Sequence, residues 1–215
     1  MPPPLEFLHD RLPSRLRRAL PGHEAHARMA PRSPARQAAL SPRGKDCREA
    51  GVLALLVPQP NASPAVVLTV RREELPDHAG QISFPGGQRE GSESLAQTAL
   101  REAEEEIDLD PQSVDRLGCL TPLYIPPSNF CVHPHVGVVD HVPPLSPTDR
   151  EVDQILRASL SDLLDPKSRV VKPWMLHGST VEVPYYDVEG HAVWGATAMM
   201  LSELLTVIRS VSDEA

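Results

Sequence analysis

The sequence predicts an α/β fold: a mixed β-sheet sandwiched between helices, an α/β/α sandwich. Three observations carry that prediction. From Ala50 onward, short apolar and β-branched runs recur between turn-forming residues, as strands do. The stretch GGQREGSESLAQTALREAEEEIDL, Gly86 to Leu109, reads as an amphipathic helix that follows a double glycine. A second amphipathic stretch, TAMMLSELLTVIRSV, closes the chain. Strands interleaved with two substantial helices bury their apolar faces most simply as a sheet covered by helices.

The elements follow in order. Residues 1–48 are rich in Pro, Ala and Arg and lack sustained periodicity, so they read as a flexible N-terminal segment. A helix from about Leu5 to Leu20 is limited by Pro13, and Pro21 to Lys45 reads as a linker. Residues 49–211 form the domain, and 212–215 a C-terminal tail. GVLALLVP and AVVLTVRR are strands separated by the turn Gln59 to Ser63. LGCLTPLYI and VHPHVGVVD supply two more around the loop Pro126 to Phe130. ILRASLSDLL holds a short helical turn, and RVVKPWML, VEVPYYDV and HAVWG alternate as strands. The closing helix is apolar at Met199, Leu204, Leu205 and Ile208.

Charge is unevenly spread. Residues 1–48 hold ten Lys/Arg against four Asp/Glu, and the remainder eleven against twenty-five. An acidic domain argues against nucleic acid as a partner, since duplex binding needs a basic footprint. No apolar run approaches the ~18 residues of a membrane span, so no membrane partner is expected. Cys47, Cys119 and Cys131 are an odd, scattered set without zinc-ligand spacing, and each reads as a buried hydrophobe or a bystander. That usage suits a reducing compartment, the cytoplasm. The Arg-rich, acid-poor N-terminus leaves an organelle matrix as the alternative, although Pro2, Pro3 and Pro4 spoil an amphipathic transit peptide. His133 and His135, alternating around a proline, read as edge-strand residues rather than a metal pair. A homodimer stays an open arrangement, and the N-terminal segment, should it pack on the domain, could lie at such an interface or over the site.

Chemistry concentrates in the acidic helix. At 3.6 residues per turn, Glu102, Glu105 and Glu106 share one patch, beside an apolar stripe of Ala96, Ala99, Leu100, Ala103 and Ile107. Like charges at i, i+4 cost roughly 0.2–0.5 kcal/mol per pair, and the helix dipole disfavours acids in the C-terminal half. A divalent cation removes both penalties, and hard oxygen ligands suit Mg2+ or Mn2+. The alternative is an ordinary solvated acidic face.

The spacing favours the cation. Gly87, Glu93, Arg101, Glu102, Ala103, Glu105, Glu106 and Leu109 fit G-x5-E-x7-R-E-U-x-E-E-x-G-U, with U apolar. This resembles the Nudix box, the signature of hydrolases that cleave nucleoside diphosphates linked to another group. The one departure is Asp108 in place of the helix-ending glycine, and Asp tolerates the left-handed turn better than most residues. The resemblance covers roughly residues 50–208 and implies a Nudix-type fold. It also implies that Glu102, Glu105, Glu106 and the Gly86 carbonyl hold the metal, and that Glu102 or Glu105 acts as general base. Arg101 is placed to tether Glu93 or Glu102 rather than to touch substrate.

Immediately upstream, VLTVRREELPDHAGQISFPGG resembles the extra motif of the coenzyme A pyrophosphatase branch, L-x-T-x-R-[SA]-x3-R-x3-G-x3-F-P-G-G. Arg71, Gly80, Phe84, Pro85, Gly86 and Gly87 align, while Arg72 and Pro76 depart from it. The resemblance implies a coenzyme A-type nucleotide substrate and makes Arg71 the first choice for a phosphate contact. The lost arginine at Pro76 favours another nucleoside diphosphate derivative, such as ADP-ribose or a dinucleoside polyphosphate. A non-catalytic binding module is a third reading. VWGATA, Val193 to Ala198, also resembles that branch, and Trp194 is expected to pack in the core.

Overall fold

The structure is a computed structural model and describes residues 3–31, 40–60, 62–72, 80–148, 151–176 and 178–214. Two central strands organise it, β1 (Arg48–Val57) and β7 (Phe130–Val138), paired in parallel from Arg48↔Phe130 to Leu56↔Val138. Strand β2 (Ala65–Arg71) pairs antiparallel with β1, with the short β3 (Ile82–Ser83) and with β8 (Val152–Ser159). A three-residue strand, β4 (Gly86–Gln88), returns along the start of β1. β5 (Asp115–Cys119) and β6 (Leu123–Ile125) both pair with β7, completing a mixed sheet.

Alternation along β1 sets the layers. Leu53, Leu55 and Val57 pack with Ala99, Ala103 and Ile107 of α3 (Leu95–Ile107) on one face. Ala54 and Leu56 face the other way, toward α1 (Leu5–Leu16) and the long C-terminal α5 (Gly195–Asp213). This is the expected α/β/α sandwich. A short α4 (Leu160–Leu164) follows β8. A separate antiparallel sheet is formed by β9 (Arg169–Leu176), β10 (Ser179–Val188) and β11 (His191–Val193).

Six expectations are corrected. Residues 5–31 are not a loose part of a flexible N-terminal segment. Leu8 and Leu12 of α1 are fully buried, and α2 (His23–Ala27) docks on α5 through His26, whose Nε2 lies 3.0 Å from Glu203 Oε2. Cys47 and Cys131 are disulfide-bonded, with Cα atoms 5.8 Å apart, so neither is a bystander. Cys119 is the free, exposed one. LGCLTPLYI is two strands, because Pro122 has no N–H and Thr121 turns its own N–H to Glu203 (3.0 Å). β7 lies inside the sheet, so His133 and His135 are not on an edge. Pro134 is accommodated there, with its carbonyl accepting from Leu120 N–H at 2.9 Å. Finally, Ser212 and Asp213 continue α5 rather than forming a tail. Trp194 is half-buried and sits edge-on to Trp174 (5.3 Å between centroids), against the three-stranded sheet instead of within the main core.

Candidate active site on the acidic helix

Helix α3 begins at a capping box. Ser94 accepts from Gln97 N–H through its side chain, and the Gln97 side chain accepts from Ser94 N–H at 2.8 Å. It ends at Asp108, which adopts φ 57°, ψ 34°, the left-handed cap expected where a glycine is usual. Ala99, Ala103 and Ile107 bury the apolar stripe, which fixes the rotation of the helix and turns its acids toward the β4 end of the sheet.

Two glycines let strand and helix approach closely. A Cβ on Gly87 would lie 2.5 Å from the Glu102 carboxyl carbon, so no larger residue fits without moving that carboxylate. Gly86 has φ 152°, and a Cβ there would lie 2.4 Å from the Gly51 carbonyl oxygen. Its N–H donates to Glu106 Oε2 at 3.1 Å, and Glu106 is only 5 % exposed.

Arg101 organises the remaining acids. Its guanidinium donates to Glu93 (3.1 and 3.2 Å), Glu102 (2.9 Å), Glu105 (3.1 Å) and the Gln88 carbonyl (3.2 Å). The expected tether to Glu93 or Glu102 is thus a tether to both. Glu93 also accepts from Glu90 N–H and from the Thr98 hydroxyl. The Arg101 bonds, then the Glu90 N–H, hold its carboxyl down at about 2. Burial pushes the Glu102 carboxyl above its ordinary value, against the pull of Arg101. The same carboxylates keep Arg101 firmly protonated.

The donor chemistry fits a hard divalent cation: three carboxylates on one helix face beside a glycine backbone, with a single arginine against four acids. Among the described residues no three His, Cys, Asp or Glu side chains converge tightly enough to hold an ion as they stand. Glu102 and Glu105 are engaged by Arg101, and Glu106 by the Gly86 amide.

Arg71 lies at a register shift of β2 against β8 and pairs with Glu151 at 2.8 Å. Its Nε is buried without a hydrogen-bond partner among the described residues. The structure therefore brings Arg71 to a carboxylate that no motif announced. Pro76 lies outside the described residues. Also missed by sequence reasoning were Thr98, Ser146 and Thr148, the last two bonding the carbonyls that end α3. Thr98 follows Glu93 closely enough to be guessed, but contacts across about forty residues leave no spacing signal.

His135 Nδ1 lies 3.3 Å from Cys119 Sγ, and His133 Nε2 lies 3.9 Å from Glu49. Burial lowers both imidazoles, His135 to about 4.

Residues 48–175 match the family described as NUDIX domain. The uncharacterized Nudix hydrolase NudL of Photorhabdus laumondii is 35 % identical over 158 residues, which cover 73 % of this chain and 83 % of that one. NudL of Salmonella paratyphi B is also 35 % identical over 158 residues, covering 73 % and 81 %. The crystal structure of a MutT/nudix family protein from Enterococcus faecalis superposes with a TM-score of 0.50 at 16 % identity, covering 89 % of this chain and 73 % of that one. The chain belongs to the Nudix hydrolase family. Its members generally use divalent ions such as Mg2+ or Mn2+. No described helix is long and apolar enough to cross a membrane.

Proposed function

We propose that this hydrolase cleaves the phosphoanhydride of coenzyme A or its acyl or oxidised derivatives, giving a phosphopantetheine half and adenosine 3′,5′-bisphosphate. The observation that carries the reaction class is the Glu102, Glu105 and Glu106 face of α3, set against Gly86 and Gly87. The substrate class rests on the run from Arg71 to Gly87, which resembles the coenzyme A branch and leads directly into that face.

In this reading Glu102, Glu105, Glu106 and the Gly86 carbonyl hold Mg2+ or Mn2+. When bound, the cation neutralises the diphosphate and makes water a better nucleophile. Glu102 or Glu105 takes the proton of the attacking water. Arg101 keeps those carboxylates oriented, with Glu93 anchoring its far side. Arg71 contacts a phosphate after exchanging Glu151 for it. The partner is a small nucleotide; the Cys47–Cys131 bond removes the cysteine-based argument for a reducing compartment.

A second reading, hydrolysis of ADP-ribose or a dinucleoside polyphosphate, is favoured by Pro76 at the arginine position and by the carboxylate already paired with Arg71. A substrate panel with Mg2+ or Mn2+, resolved by product mass, separates the two. Coenzyme A cleavage to the two named halves is expected. Efficient ADP-ribose cleavage without coenzyme A cleavage would replace the first reading with the second. Arg71→Ala should lower kcat/KM on coenzyme A roughly ten- to a hundredfold, the loss of a charge-assisted hydrogen bond.

A further inference from the structure

The last four carbonyls of any helix lack intrahelical partners, and helix ends fray unless something satisfies them. In α3 this matters unusually, because Glu105 and Glu106 lie in the last turn. There the helix dipole and the like charge of Glu102, three and four residues earlier, both oppose order. The Asp108 cap uses its N–H on Ala103 and Glu104, leaving the next three carbonyls unserved. All three are taken by the connection between β7 and β8. The Thr148 hydroxyl donates to the Glu105 carbonyl, Thr148 N–H to the Glu106 carbonyl (3.1 Å), and Ser146 N–H to the Ile107 carbonyl (3.1 Å). The same connection ends at Glu151, which holds Arg71 at 2.8 Å.

We infer that Thr148 is a positioning residue for the metal-binding acids. Its two donors fix the backbone of Glu105 and Glu106, so both carboxylates are presented from an unfrayed turn. The inference rests on the metal-face reading above and adds a residue outside the box to it.

The test uses Mn2+ alone as probe, with free Mn2+ read by electron paramagnetic resonance on the full chain. Thr148→Val keeps the shape and the N–H but removes the hydroxyl donor. It should weaken Mn2+ binding roughly two- to tenfold, as expected for one neutral hydrogen bond, and Thr148→Ser should restore it. Ser168→Ala, which removes a comparable loop bond to the Leu163 carbonyl, is the structural control and should leave Mn2+ binding unchanged. Wild-type Mn2+ affinity in Thr148→Val, or an equal loss in Ser168→Ala, would overturn the inference while leaving the metal face standing. Mn2+ binding that ignores Glu106→Gln would instead remove the metal-face reading, and this inference with it.

Discussion

Two clusters of ionisable groups sit on opposite sides of the central sheet and are built on opposite terms. Around α3, the carboxylates of Glu93, Glu102, Glu105 and Glu106 outnumber the one guanidinium of Arg101, and the Glu105 side chain is 56 % exposed. Across the sheet, Glu203 and His26 are completely buried, and the Glu203 carboxylate is saturated. It accepts from Gly22 N–H, Thr121 N–H, the Thr121 hydroxyl and His26. Burial pushes the Glu203 carboxyl up, but the bonds from His26 and Thr121 outweigh it and leave it lowered. The contrast teaches a way to sort charges. A dry, fully bonded acid holds architecture together, here fastening α2 to α5. A surplus of acids on one helix face, with too few cations to balance it, is costly without a ligand and is suited to capturing a cation.

The comparison breaks hardest at Glu203. Glu203→Ala leaves three donors and a buried imidazole without their acceptor, and should cost about 3–5 kcal/mol. Thermal unfolding should report that loss, while hydrolysis per folded molecule, measured well below the midpoint, should survive. Removing residues 1–31 strips Leu8, Leu12 and Leu16 from α5 and should destabilise in the same way. Normal thermal stability in either variant would mean that this cluster is dispensable.

A smaller effect is expected from the Cys47–Cys131 bond, which closes a loop of 84 residues containing the whole acidic helix. Cys47→Ser should lower stability by about 2–4 kcal/mol, read as a drop in Tm that reductant reproduces in the wild type. Thiol titration of the native oxidised protein should find one reactive group, Cys119. Three reactive thiols without reductant would contradict the pairing.

The mildest test concerns pH. The folded Glu93 carboxyl, at about 2, lies below its ordinary 4.5, so its contribution is fully present above 4.5 and disappears as pH falls toward 2. The Tm gap between wild type and Glu93→Gln should therefore be widest near neutrality and close across that window. A gap that stays constant with pH would remove the Arg101 bond as its source.

Legibility followed the range of the contacts. The acidic helix and the tether from Arg101 to Glu93 and Glu102 could be read because those residues lie within about two turns of one another in sequence. Even the glycine-free end at Asp108 was predictable, from the tolerance of Asp for the left-handed turn. The N-terminal segment could not be read because its partners lie far away; His26 meets Glu203 across 177 residues. Its signal was present but weak: Leu5, Leu8, Leu12 and Leu16 keep helical spacing through Pro13. A disulfide between two of three scattered cysteines leaves no mark in spacing, and neither does the Arg71–Glu151 pair. The break in LGCLTPLYI was available from Pro122 alone.

The central claim is that the α3 acids serve chemistry rather than folding, and Glu106→Gln tests it most directly. The amide is isosteric, can still accept the Gly86 N–H, and removes one charge from a repulsive set. Turnover of the substrate identified by the panel should be measured with Mg2+ or Mn2+ on wild type and variant at matched folded fraction. The account predicts a rate lower by orders of magnitude with a Tm no lower than wild type. Turnover at the wild-type rate would contradict it.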